Sequence, residues 1–284
     1  MKNITGKTCV CGVIGKPIEH TLSPLIHHTI AEFTGGDLAY VPFLVEEKEV
    51  EAALKGAHAL HIKGLNVTMP HKKAVMPHCI EIDELAQMVD AVNTLVWTPS
   101  GYKGYNTDAM GLRRALLGGG ISFKDQNVAI IGSGGASYAA VVSVMEEARS
   151  LHIFNRTKEK ALALSEHFKN YTKLPIFVYE EDESSNRPIS LVIQTSGVGM
   201  GALKEQKPRC GSKLLEQAHT AVDLIYNPSQ TLFLQEALHK GLKIMNGFDM
   251  LFYQAVIAYE LMHKCTLNEE TIHKIYEALL QKIG

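Results

Sequence analysis

Two stretches of the chain carry residue types that packing does not require. The first is "IIGSGGAS", Ile130 to Ser137, in which Gly132, Gly134 and the small Ser137 follow an apolar strand and open a helical pattern. This spacing suits a dinucleotide. Gly132 permits the tight turn, and Gly134 lets the backbone approach a pyrophosphate at a helix N-terminus. About twenty residues further on, an NAD-selective unit often places an acid against the ribose 2′-hydroxyl. Here the chain reads "HIFNRTKEK", with no acid at the strand end. Arg156, Thr157, Lys158 and Lys160 offer instead a pocket for a 2′-phosphate, which points to NADP.

The second stretch is "GLNVTMPHKKAV", Gly64 to Val75. It reads as a strand running into a proline-started helix. Asn66 and Thr68 share one strand face, and Lys72 and Lys73 fall in the first helical turn. The positive end of a helix repels amines, so two lysines there argue for chemistry over stability. Hydride leaves an alcohol carbon only as the hydroxyl loses its proton, and a positioned lysine can take that proton and return it. Asp108, if close, would fix the amine. Thr21, Ser23 and Asn93 add polar groups at strand ends and turns. Singly, each has a plain explanation, such as Ser23 capping a helix or Asn93 closing a turn. Together these neutral amides and hydroxyls suit a polyhydroxylated carboxylic acid, whereas a phosphorylated sugar would call for more arginine. No His/Asp/Glu cluster has ligand spacing, so no catalytic metal is expected.

Strands and helices must hold these groups. In the first half, "TCVCGVIG", "LAYVPFLV", "KGLNVT", "AVNTLVW" and "GYKGY" read as strands. Helices are expected at "SPLIHHTIAEF", with Ser23 as N-cap and Pro24 as first residue, and at "EEKEVEAALKGA", "PHKKAVMPHC", "DELAQMV" and "DAMGLRRALL". "GGGISFKDQ" breaks the pattern and looks like a boundary region. Beyond it, strands "NVAII", "LHIF", "PIFVY", "LVIQT", "AVDLIY" and "LKIMN" alternate with helices, which implies a parallel sheet covered on both faces. Two final helical patterns, "DMLFYQAVIAYELMHK" and "NEETIHKIYEALLQK", have no strand between them and are expected to leave that sheet.

The 284 residues suggest two domains, and 46% hydrophobic with 20% charged residues is an ordinary globular profile. A net charge of −2 with no basic surplus argues against nucleic acid. No apolar run is long enough to span a bilayer and no signal-peptide core is visible, so the reading is cytoplasmic. The five cysteines are scattered and odd in number, which does not suggest a disulfide framework. Cys9 and Cys11 have the spacing of one half of a metal site, but no second Cys/His pair at ligand spacing answers them. They read as small buried thiols in a core strand.

In order along the chain, "VIGKPIEHTLSPLIH", "GLNVTMPHK", "AVNT", "GYNTD", "IIGSGGAS", "FNRT", "DLIYNPSQT" and "NGFDMLFYQA" resemble the motifs of the shikimate dehydrogenase family nearly end to end. The resemblance implies an α/β fold of two domains flanking a cleft. Residues 1–107 and 248–284 would form the substrate domain, completed by the C-terminal helices, and 108–247 a Rossmann-like NADP-binding domain. It implies reversible oxidation of shikimate at its 3-hydroxyl to 3-dehydroshikimate, by a monomer or homodimer. Lys72 and Asp108 would be the catalytic pair, and Thr21 and Ser23 would hold the carboxylate. Asn66, Thr68, Asn93, Asp108 and Gln254 would bond ring hydroxyls, with Tyr226 lining the cleft. Gly132, Ser133, Gly134, Gly135, Ala136 and Ser137, then Asn155, Arg156, Thr157 and Lys160, then Thr195, would hold the cofactor, with Gly247 and Met250 near the nicotinamide. The chain departs from the family pattern at Lys16, Thr21, Met69, His71 and Gln194. Thr21 stands where serine is usual, which keeps open a quinate/shikimate dehydrogenase using NAD or NADP. A ligand-sensing regulator on the same fold is the remote alternative, and retention of both Lys72 and Asp108 argues against it.

Overall fold

The computed structural model describes residues 4–283. It contains two six-stranded sheets. The chain divides into two compact units, one running to Thr107 and resuming at Gln254, the other spanning Asp108–Tyr253. The break "GGGISFKDQ" lies inside the second unit and is not a boundary. The later division falls between Tyr253 and Gln254, inside the helix Gly247–His263 and not at residue 248.

In the first unit β1 (Cys9–Gly15) lies between β2 (Leu38–Leu44) and β3 (Gly64–Val67), parallel to both. Its last five residues are all buried, as a strand covered on both faces requires. The sheet continues antiparallel through β5 (Thr94–Thr98) and β6 (Gly101–Tyr105), and a short β4 (Glu81–Ile82) pairs with β6. Helices α1 (Ser23–Thr34), α2 (Val50–Ala59) and α3 (Glu84–Val89) belong to this unit. So does α10 (Glu269–Ile283), which buries Ile272, Ile275 and Leu279 on one stripe and packs beside α1. Asp83 caps α3 by accepting the Ala86 amide at 3.0 Å.

Two local expectations fail here. Ser23 is not the cap of α1, because the helix already includes it; its amide instead donates to Thr21 Oγ1 at 3.3 Å. "PHKKAVMPHC" is not an α-helix but a run of turns ending in one short 3₁₀ segment, Met76–His78. The Lys72 carbonyl, which a helix would spend on residue 76, accepts the Val92 amide at 2.9 Å, and the Met76 amide turns to Lys73 O.

The second unit is a parallel sheet in the order β9 (Ile176–Glu180), β8 (Ser150–Asn155), β7 (Asn127–Ile131), β10 (Leu191–Gln194), β11 (Thr220–Asp223), β12 (Lys243–Met245). The order reverses between β7 and β10, which makes their carboxyl ends the switch point of a doubly wound sheet. Helices α4 (Asp108–Gly118), α5 (Gly135–Val144), α6 (Lys158–Phe168), α7 (Gly211–Leu215) and α8 (Leu232–His239) complete it. Helix α9 (Gly247–His263) carries the chain back toward Gln254 and the first unit. No helix among the described residues is long and apolar enough to cross a membrane.

Candidate active site

In the first unit the polar residues form one buried network at the ends of β3 and β5. Asn66 faces Thr94 across the antiparallel register. Its amide nitrogen donates to Thr94 Oγ1 at 3.1 Å and to the Asn93 carbonyl at 3.3 Å, and its Oδ1 accepts the Tyr40 hydroxyl at 2.7 Å. Burial holds Tyr40 well above the usual phenol range, so it stays a donor. Asn93 Oδ1 accepts the Thr107 amide at 2.8 Å and the Thr94 hydroxyl at 3.0 Å. Asn93 Nδ2 reaches Thr107 Oγ1 at 3.0 Å and Gln254 Oε1 at 3.5 Å. The network thus gathers Asn66, Asn93 and Gln254, and spends much of their capacity on each other. Asn66→Ala should cost about 1–3 kcal/mol of stability, since Tyr40 is left buried without its acceptor; urea melts of the variant check this.

The C-terminal end of β1 lies against the same region. The Thr68 amide donates to Ile14 O and the Lys16 amide to Met69 O, both at 3.0 Å. Gly15 has no room for a side chain there: an added Cβ would stand 2.3 Å from Thr68 Cγ2. Thr21 and Ser23 meet at 3.1 Å between hydroxyls, with Ser23 buried. His71 points inward, fully buried, with Nε2 at 2.8 Å from Val45 O. Lys72 is therefore set by its backbone: His71 anchors one side, and the bond from Val92 places Lys72 beside the segment that carries Asn93 into β5. Lys73 is more exposed and pairs with Asp90. Asp108, the residue after Thr107, opens α4.

In the second unit the glycine loop sits at the switch point. Gly132 follows β7 with φ +114°, a conformation that favours glycine. An added Cβ there would lie 2.7 Å from Thr195 Oγ1, while at Gly134 and Gly135 it would meet nothing within 4 Å. Gly134 and Gly135, the cap and first residue of α5, are both exposed, which leaves room for a pyrophosphate at the helix N-terminus. Ser137 and Thr195 join across the switch at 2.6 Å between hydroxyls. At the end of β8, Asn155 Nδ2 closes the turn on Thr157 O at 2.8 Å. Arg156 and Lys160 are exposed. Lys158 forms an ion pair with Glu183 at 2.7 Å, which competes with its place in the expected phosphate cluster. These residues fit a 2′-phosphorylated dinucleotide, and no carboxylate ends β8.

Gly247 is buried where an added Cβ would stand 2.0 Å from Leu224 O, so close backbone approach explains this glycine. Tyr226 and Met250 are half-buried in the same unit. Sequence reasoning missed Tyr40, Thr94 and Thr107, although Thr107 lies inside the quoted "GYNTD". It also missed the bracing of the Thr195 loop. Buried Gln194 donates to Val198 O at 2.9 Å and Ser196 O at 3.1 Å, and lies 3.5 Å from Asp223. Asp223 is fully buried, and desolvation pushes its carboxyl up to about 6 against bonds from Thr231 and Ile225. A value raised above the ordinary 3.8 means that this group favours the fold fully below that value. The advantage is lost as pH rises through about 6. Asp223→Asn should therefore add about 1–2 kcal/mol of stability at pH 7 and little near pH 4, as thermal melts at both pH values would show.

The geometry now has a context. Residues 13–95 match the family model described as the shikimate dehydrogenase substrate binding domain. The chain is 36% identical over 275 residues to the shikimate dehydrogenase (NADP(+)) of Methanosphaera stadtmanae, covering 95% of this chain and 97% of that one. A shikimate dehydrogenase crystallised in complex with NADP+ shares 34% identity at a TM-score of 0.89, over 99% of this chain and 98% of that one. Shikimate 5-dehydrogenase from Thermus thermophilus, solved with NADP(H) and shikimate, shares 30% identity at a TM-score of 0.83, over 95% and 99%. With such identity sustained across nearly the whole of both chains, this chain belongs to the shikimate dehydrogenase family.

Proposed function

We propose that the chain interconverts shikimate and 3-dehydroshikimate with NADP, on the road to aromatic amino acids, in the cytoplasm and as a monomer or homodimer. The observation that carries the reading is the joint presence of the Asn66–Asn93–Gln254 network and a switch-point glycine loop followed by Arg156. Bound NADP+ supplies the hydride acceptor. Residues 1–107 with the C-terminal helices bind substrate, and the Rossmann-like unit binds the nucleotide. Thr21 and Ser23 receive the carboxylate. Asn66, Thr68, Asn93 and Gln254 orient the ring hydroxyls, and much of their geometry is set before substrate arrives, which lowers the ordering cost of binding. Lys72 takes the 3-hydroxyl proton as the C3 hydrogen departs as hydride, and donates it to the ketone in reverse. Asp108 bonds the substrate and orients the amine. Tyr226 and Met250 border the substrate and nicotinamide.

The test is a spectrophotometric assay of shikimate and quinate, each with NADP and NAD. Shikimate with NADP should give the highest kcat/KM. Thr21→Ser should leave it within about tenfold, because the hydroxyl stays and only a methyl is lost. A preference for quinate would move the reading to a quinate/shikimate dehydrogenase, for which Thr21 is the motive. Absence of turnover with all four pairs would favour a ligand-sensing role.

A further inference from the structure

The two cysteines that stand unanswered in the sequence meet a third ligand in the fold. Cys9 and Cys11 are two residues apart on β1, so their side chains share a face, and their sulfurs are 3.9 Å apart. The end of α9 covers that face: Cys11 and Val13 pack with Ala258 and Met262, with Cys9 and Leu261 at the margin. His263, the last residue of α9, brings a ring nitrogen to the pair. The two sulfurs and that nitrogen all lie within 4.8 Å of one another. His263 Nε2 is buried and has no hydrogen-bond partner among the described residues. Its ring stands 4.1 Å from that of Tyr259, centroid to centroid.

We propose that Cys9, Cys11 and His263 form a binding site for a thiophilic d¹⁰ cation, with Zn(II) as the ion to test. Two thiolates at ~2.3 Å from a tetrahedral metal stand ~3.8 Å apart, close to the separation already present. Closure needs only that the imidazole draw in toward the sulfurs. Two sulfurs and an imidazole select Zn(II) or Cu(I) over Mg(II) and Ca(II), which want oxygen. Zn(II) would displace both thiol protons to solvent and keep a fourth position for water. The ion would tie β1 to the helix that carries Gln254, without touching the residues assigned to hydride transfer.

The reduced, metal-free protein should bind one Zn(II) per chain with Kd below about 1 µM, measured by competition with a chromophoric chelator. Cd(II) should give thiolate-to-metal absorption in the ultraviolet. At a hundredfold excess over Kd, Zn(II) should raise the melting temperature by roughly 5 °C. Cys9→Ser and His263→Gln should each weaken binding at least about tenfold with shikimate turnover retained, which shows that the variants fold. Cys79→Ser with Cys265→Ser should change nothing. X-ray absorption of the Zn-loaded wild-type chain should find two sulfur neighbours at ~2.3 Å, a readout independent of any variant. No stoichiometric binding, a nitrogen- and oxygen-only shell, or an undiminished Cd(II) band in Cys9→Ser would each overturn the site.

Discussion

Replacing Lys72 with alanine is expected to lower kcat for shikimate oxidation by about 10²–10⁴, the usual worth of a positioned acid/base. The KM for shikimate should move far less, because Thr21, Ser23, Asn66, Asn93 and Gln254 supply most of the proposed contacts. The fold should hold. The segment is fixed by buried His71 and Val75 and by the backbone bond from Val92 to the Lys72 carbonyl, all of which survive the substitution. The melting temperature should therefore stay close to that of the parent. Asp108→Ala should behave differently and damage KM and kcat together, since Asp108 is assigned both to substrate and to the amine. Steady-state kinetics in both directions, paired with a melting curve for each variant, separate these outcomes. Near-parental turnover by Lys72→Ala would remove Lys72 from the proton-transfer role.

That prediction names a residue that the sequence singled out through a local argument the structure does not sustain. Two amines against a helix dipole were the signal, yet no α-helix forms there. "PHKKAVMPHC" has helical spacing, but the segment leading into β5 competes for its carbonyls: Val92 takes the Lys72 oxygen, and i→i+3 bonds replace the helical ladder downstream. Propensity is a weak prior against such a tertiary bond. By contrast, the strands of the second sheet were legible: central runs such as "NVAII" and "LVIQ" are buried on both faces and read as continuous apolar segments, and the half-buried edge strands "PIFVY" and "LKIMN" follow the same alternation with helices. The two-residue β4 was not legible, since Glu81–Ile82 is too short to show a period.

The glycine loop was legible for the same reason the sheet was: its spacing is local, and its context is a strand before and a helix after. The amide network was legible only as separate polar residues. Asn93 and Gln254 are 161 positions apart, and nothing in their neighbourhoods announces that they bond. Cys9, Cys11 and His263 are a sharper case. The spacing rule for metal sites looks for a second nearby pair, whereas here the third ligand arrives on a helix from the far end of the chain. Lys158 shows how a fold adds partners that spacing cannot announce. It belongs to the basic cluster by position, but Glu183 holds it at 2.7 Å.

Arg156→Ala is expected to raise the KM for NADP by about 10- to 100-fold and to change the KM for NAD little. Arg156 follows β8 directly, two residues before α6, where the ribose of a dinucleotide lies in a doubly wound sheet. Asn155 closes the turn onto Thr157, and Thr157 caps α6 without a side-chain bond. The first amides of that helix therefore face outward with its positive end, a ready partner for phosphate oxygens. With Lys158 in an ion pair with Glu183, the 2′-phosphate is expected to rely mainly on Arg156, Thr157 and Lys160. Arg156→Lys should recover only part of the loss, because an ammonium lacks the two-pronged geometry of a guanidinium on a phosphate. The NADP effect should shrink as salt rises, since the site is exposed. The measurement is kcat/KM for both nucleotides at two ionic strengths. Equal weakening for NADP and NAD would mean that Arg156 supports the loop and not the phosphate, and Lys160 would then be the cation to replace next.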